Sequence, residues 1–402
     1  MRVWIGSLAF LFPFLSLVTT FGVTLTSFLF LATALILLKP SRDALVRHWP
    51  QVRWVVLAFL VHFLFLLGCM LLRGEKMSVL DKPSRMLMTA SALAVVLAVR
   101  PPRQALWWGA SAGALAALPF VAWQRFGLHL ERPGGLINPI TFGDLALLLA
   151  LVALAGAVDM RRHPGQALLA GTGALAGLAA SVLTGTRGGW PALALAALVL
   201  GRHVVRVDSR RVRALLAAGV GVLAAAWFMP VLGVQQRFAQ GVSEARIWYE
   251  GGNVFTNVGT RLELWKGAVM LIGEHPWFGM SFDACRARLA EFGQAGRFDP
   301  TVLELPHLHN DALQVLATGG VVGFVFWTAT LAAPLLFFLR ALGDDVRAPQ
   351  FAVALGGALV VLGYVAFGLT EVIFWSMKGS VFYALMVFLL MGFCLNAKEK
   401  IG

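Results

Sequence analysis

The chain has 402 residues, 59% of them hydrophobic and only 13% charged, with a net charge of +13. So few charges cannot clothe soluble domains, in which about 25% of residues are charged. Disorder, a coiled coil and a disulfide scaffold resting on three cysteines are excluded as well, which leaves an all-α polytopic membrane protein.

In chain order, apolar stretches fall at 4–19, 20–38, 54–72, 86–99, 104–123, 142–158, 166–184, 190–201, 214–233, 313–339, 351–370 and 379–396. They predict about twelve transmembrane helices. The first begins Met1–Arg2 and shows no small-residue cleavage site near Thr19–Thr20, so it reads as an anchor rather than a removed signal peptide. With both termini in the cytoplasm, one set of loops holds about 18 of the 33 basic residues but only about six of the 20 acids. Nearly the whole net charge then lies on one side, the positive-inside pattern. The basic excess therefore reports topology and contact with membrane lipids, and no nucleic acid is expected. All loops on that side are short, and none holds a glycine-rich nucleotide loop.

The opposite face is richer. It has moderate loops near 74–85 and 124–141, and a long one between spans 9 and 10. The chain thus divides into spans 1–9 over residues 1–233, a helical loop domain over 234–312, and spans 10–12 over 313–402. Within the long loop, Thr260–Arg261–Leu262–Glu263 has the form of a capping box. Leu262, Trp265, Val269 and Ile272 follow at helical spacing, and Gly273 and Pro276 end the helix. A second short helix is expected from Asp283 to Phe292, with Arg286, Arg288 and Glu291 on wet faces.

The spans hold almost no ionisable residues; His62 alone sits well inside one. An ion-coupled transporter would keep buried charges near the midplane, so that class is disfavoured. The chemistry-bearing residues gather on the outer face instead. Pro306–His307–Leu308–His309–Asn310–Asp311 crowds two imidazoles, an amide and a carboxylate at the start of span 10. A helix start favours the neutral imidazole, which is a competent general base near neutrality. The pattern equally describes an Asx-type helix cap with exposed histidines. A His-x-His metal site is disfavoured, because residues two apart on a helix diverge. Thr184–Gly185–Thr186–Arg187–Gly188–Gly189 precedes span 8, and its glycines and permanent cation suit a phosphate; a tight interhelical turn is the plainer reading. Arg261, at a helix start that disfavours cations, suits an anionic partner or a simple pair with Glu263. Trp265 and Lys266 could be interface anchors. Two cations and one base on one face, drawn from three distant segments, suit group transfer on a diphosphate. Without nucleotides on that side, the donor must carry its own activation.

The stretch HLHNDALQVLATGGVVGF (His307 to Phe324), the TGTRGG turn and the segment GTRLELWKGAVMLIGEHPWFGM resemble the O-antigen ligase family. That family belongs to a superfamily with O-antigen polymerases and bacterial protein O-oligosaccharyltransferases. The likeness covers roughly residues 180–340. It implies a GT-C-like, metal-independent glycosyltransferase of the bacterial inner membrane with a periplasmic active site and no cofactor. The implied donor is undecaprenyl-diphosphate-linked O-antigen and the implied acceptor a sugar hydroxyl of lipid A–core. The resemblance makes His309 the base and gives the diphosphate to Arg187 and Arg261. His307, Asn310, Asp311 and Gly188 become supporting residues, with His307 and Asp311 spaced to pair. A polymerase or protein transferase would share this chemistry, although a protein transferase would bring a larger C-terminal periplasmic portion. A lipid-linked glycan transporter would bind the same diphosphate and do no chemistry.

Overall fold

The computed structural model describes residues 1–186, 188–203, 207 and 209–399. Every apolar stretch falls on a helix. In order these are α1 (Arg2–Val18), α2 (Gly22–Ile36), α3 (Leu38–Arg73), α4 (Asp81–Met88), α5 (Ala90–Val99), α6 (Gln104–Ala122), α7 (Pro139–Asp159), α8 (Pro164–Leu183), α9 (Trp190–His203) and α10 (Arg210–Phe228). After α11 (Val234–Tyr249), α12 (Gly259–Glu274) and α13 (Phe282–Gln294) come α14 (Asp311–Leu342), α15 (Phe351–Phe367) and α16 (Met377–Lys398). Among the described residues, eight helical runs are long and apolar enough to cross a membrane: α3, Met77–Val99, Gln104–Gly127, α7, α8, α10, α14 and α16. Helices α1, α2 and α15 are apolar but shorter. The polar stretch expected to be a loop before the third span is helical, so α3 runs for 36 residues.

Helices α7, α15 and α16 form the centre of the bundle, and α3, α10 and α14 lie on its periphery. With lipid as solvent, burial of apolar surface does not by itself drive helices together; close backbone approach and satisfied polar groups do. At Gly177 of α8 a Cβ would stand 2.7 Å from the Ala146 carbonyl of α7, so only glycine permits that crossing. The buried Tyr364 and Tyr383 hydroxyls donate to the carbonyls of Gly379 (2.6 Å) and Thr330 (2.8 Å).

A second apolar core lies outside the main one. Leu264, Leu271, Leu289, Phe292 and Val302 join α12, α13 and the turn Pro300–Glu304, and Ala317 ties this core to α14. The junction is a backbone clamp. Gly320 breaks α14 at φ 62°, ψ −167°, and the Pro276–Met280 loop enters the break. Val321 N–H donates to Pro276 (2.8 Å), Val322 N–H to Trp277 (3.1 Å), and Met280 N–H to Ala317 (3.0 Å). Arg73 of α3 donates to the Phe278 (2.6 Å) and Thr318 (3.1 Å) carbonyls across the same seam. A Cβ at Gly320 would overlap the Trp277 backbone.

Two local expectations are corrected here. Thr260 and Glu263 form no capping box, because α12 begins at Gly259 and its first turn is held by others. Thr256 Oγ1 accepts from Gly259 N–H (2.9 Å) and Glu244 from Val258 N–H (2.9 Å). The buried Glu263 instead accepts from Trp248 Nε1 (2.9 Å), Lys266 Nζ (2.9 Å) and Asp299 N–H (3.0 Å), joining α11 to α12. Arg286 is not solvated: it donates to the Leu303 and Leu305 carbonyls, while Arg288 and Glu291 do stay at the surface.

Candidate active site

The segment His307–Asn310 precedes α14 and is fixed from four sides. Asn310 caps the helix, its side chain accepting from Leu313 N–H (2.9 Å), as the Asx reading expects. Its Nδ2 donates to Leu369 (3.0 Å), and Asp311 N–H donates to Gly368 (2.8 Å), which pins the helix start to the end of α15. Leu308 N–H donates to Gln314 Oε1 (3.1 Å). Trp265 Nε1 of α12 donates to the Leu308 carbonyl (3.1 Å), so this tryptophan holds the loop rather than anchoring in lipid.

Those ties bring in Glu371, a residue the motifs did not reveal. Its carboxylate bridges both histidines, with Oε2 3.0 Å from His309 Nδ1 and Oε1 3.2 Å from His307 Nε2. The hydrogen bonds fix the tautomers. His307 Nδ1 accepts from His309 N–H (3.4 Å), so its Nε2 carries the proton given to Glu371. His309 donates Nδ1–H to Glu371, which leaves Nε2 with a lone pair, buried and without a hydrogen-bond partner. His309 also holds a left-handed backbone (φ 50°), a strained state for a non-glycine residue.

Burial pushes His307 down to about 4, against the pull of Glu371, so this imidazole is neutral at pH 7. Burial works to raise Glu371, but the hydrogen bond and charge of His309 and the charge of His307 outweigh it and hold the carboxyl below its usual range. Glu371 is therefore an anion beneath two rings. The expected pairing of His307 with Asp311 does not occur. His307 lies in the turn before the helix, where the i, i+4 rule does not apply, and it faces Glu371. Asp311 is buried, with both carboxylate oxygens free of side-chain partners.

The cations lie around this centre. Arg261 is half-buried on the first turn of α12, with no hydrogen bond or ion pair among the described residues. Burial lowers it and Glu371 opposes that shift, while an arginine stays charged throughout the accessible pH range. Arg132, exposed in the 124–141 loop, feels Arg237 and Glu371 in turn. Gly188 packs against Thr370, the neighbour of Glu371, and a Cβ there would overlap the Thr370 hydroxyl. The buried Asp144 of α7 lies under Gly189, both its oxygens without a partner. Arg187 itself lies outside the described residues. Trp375 flanks His307 at 5.5 Å between ring centroids, with the Lys82 ammonium over its face.

The ligand atoms of His307, His309 and Glu371 lie within 4.8 Å of one another, a set that in kind and spacing could hold a metal ion. As arranged, two of its nitrogens spend their protons on the carboxylate.

This constellation falls largely within a region with known relatives. Residues 172–328 match the family model described as O-Antigen ligase. This region belongs to the O-antigen ligase family. The chain is 32% identical over 111 residues to a Pseudomonas aeruginosa protein named O-antigen ligase, covering 28% of this chain and 24% of that protein. It is also 22% identical over 332 residues to an uncharacterized protein of Haemophilus influenzae, covering 82% of this chain and 83% of that protein. The family segment contains the TGTRGG turn, α12 and the His307–Asn310 loop, and it ends before Glu371.

Proposed function

We propose that the chain is a GT-C-like, inverting, metal-independent O-antigen ligase. It would transfer O-antigen from undecaprenyl diphosphate to a sugar hydroxyl of lipid A–core. The observation that carries this reading is the Glu371–His309 pair with its free Nε2 lone pair. Glu371 holds the ring and stabilises the imidazolium that forms. His309 Nε2 takes the proton of the acceptor hydroxyl as its oxygen attacks the anomeric carbon. The bond from that carbon to the diphosphate breaks in the same displacement, which inverts the centre. The leaving group departs as an anion, so charge neutralisation rather than a general acid is required. Arg187 and Arg261 supply it, with Arg132 entering from the rim; planar guanidinium groups suit a diphosphate.

The twelve apolar stretches are all crossings in this reading, and the loop segment 234–312 is a domain over the sugars. The positive-inside pattern puts both termini in the cytoplasm and His309 on the periplasmic face of the inner membrane. The strained, satisfied-on-one-side imidazole favours chemistry over transport. A transporter needs the arginines but no oriented base.

The test is to incubate purified protein with lipid-diphosphate-linked glycan and lipid A–core in the presence of EDTA. A glycan–core conjugate of the summed mass is expected. Glycan growth without conjugate would mean a polymerase, and donor binding without any product would mean a transporter. Activity lost to EDTA and restored by zinc would assign the His307–His309–Glu371 set to a metal.

A further inference from the structure

A cavity of about 480 Å³ opens between α3, α14 and α16, far from the His–Glu cluster. At about 1.5 Å per residue, Arg340 lies roughly 40 Å along α14 from Asp311, at the other end of the bundle. Trp54, Val55, Leu336 and Phe337 give it an apolar wall, and Gln51, Arg340 and Lys398 supply its polar groups.

Both cations are exposed, and neither has a hydrogen bond or ion pair among the described residues. The acids nearest them in sequence are already engaged. Glu399 accepts from His48 Nε2 (2.6 Å) and pairs with Arg100, and Asp344 faces Arg202 at 3.8 Å. Arg53 stacks 5.1 Å over Trp54, one of the residues that line the cavity. Arg2, Arg100 and Arg103 gather at the same end of the molecule. The result is a partly apolar slot between helices that carries two cations without a partner among the described residues. Basic pockets of this kind between membrane helices hold anionic lipid headgroups.

We infer that this cavity is a binding site for an anionic phospholipid of the phosphatidylglycerol class. The phosphodiester lies between Arg340 and Lys398, and the upper part of one acyl chain fills the slot against Phe337 and Leu336. A zwitterionic lipid presents an ammonium to the same cations and is disfavoured. The site touches nothing in the His309 chemistry, so it stands or falls independently of the transfer reading.

The test is native mass spectrometry of the full chain, delipidated in neutral detergent and titrated with phosphatidylglycerol or with phosphatidylcholine of the same chain length. Inorganic phosphate serves as a competitor. Wild type should retain phosphatidylglycerol preferentially, by about fivefold per cation and about thirtyfold for the pair. Arg340→Gln/Lys398→Gln should lose that preference, and each single variant should lose part of it. Equal retention of the two lipids by wild type would overturn the site. So would an undiminished preference in folded double and single variants, or displacement by phosphate at concentrations where the lipid should hold.

Discussion

Two ion-pair clusters sit at opposite ends of this bundle and are built to opposite rules. At one end Asp159 accepts from Arg103 twice (2.8 and 2.6 Å) and from Trp107 Nε1 (2.9 Å), while Arg103 also donates to the Pro349 carbonyl (2.9 Å). Each charged group in that cluster has its partner. At the other end His309 Nε2 and the oxygens of Asp144 are buried without partners, Arg261 has none among the described residues, and His309 is strained. Buried polar groups in proteins are nearly always satisfied. A cluster that concentrates the exceptions is arranged for something that arrives later. The Asp159 cluster locks helices, and in the proposed function the His309 cluster receives a donor and an acceptor.

The contrast can be broken by substitution. Arg261→Ala should lower transfer by about 10²–10³-fold, and Arg261→Lys should recover little, because a point charge does not reproduce the fork. A steady-state transfer assay reads both, and near-normal activity of the lysine variant would reduce the residue to a simple charge. Glu371→Gln should slow transfer about 10²-fold while donor binding persists, since the amide can feed the wrong proton to Nδ1. Loss of donor binding instead would move Glu371 from orienting a base to holding the fold. Asp159→Asn should do the reverse. The buried pair with Arg103 is weakened at a cost of about 2 kcal/mol, visible as a lower Tm, with the rate per folded molecule unchanged.

A smaller effect sharpens the role of His307. Its imidazole ionises at about 4 in the folded protein, below the ordinary histidine value of about 6.5. Between those values the unfolded chain takes up a proton that the folded chain refuses. Stability therefore falls as pH drops from 6.5 toward 4, by about 2 kcal/mol at pH 5. Thermal unfolding in detergent at pH 7 and pH 5 should show a shallower loss for His307→Gln than for wild type. Equal losses would mean that His307 is not held neutral.

Much of the helical plan was legible because lipid imposes a simple code: long apolar runs become helices, and Gly273 with Pro276 ends α12 where expected. The His307–Asn310 element and Arg261 stood out in the sequence as candidates, and the structure gathers them around Glu371. Glu371 was not. It sits alone between α15 and α16, and its link to His309 depends on Asn310 and Asp311 bonding to the end of α15, a contact no local pattern encodes. One signal was available: it is the sole acid between Asp345 and Glu399, at the edge of an apolar run on the same face as the histidines. The misread capping box has the same origin. The Thr260–Glu263 spacing was right, but tertiary contacts with Trp248 and Asp299 claimed the carboxylate. Gly188 of the TGTRGG turn packs against Thr370, next to Glu371, while Arg187 lies outside the described residues.

The account stands on His309 Nε2 as the base. Its most direct test is the single-turnover transfer rate of His309→Ala against wild type, at equal amounts of folded protein and saturating lipid-linked donor. The account predicts a loss of about 10³-fold or more with unchanged Tm and donor binding. A rate within a few fold of wild type would contradict it.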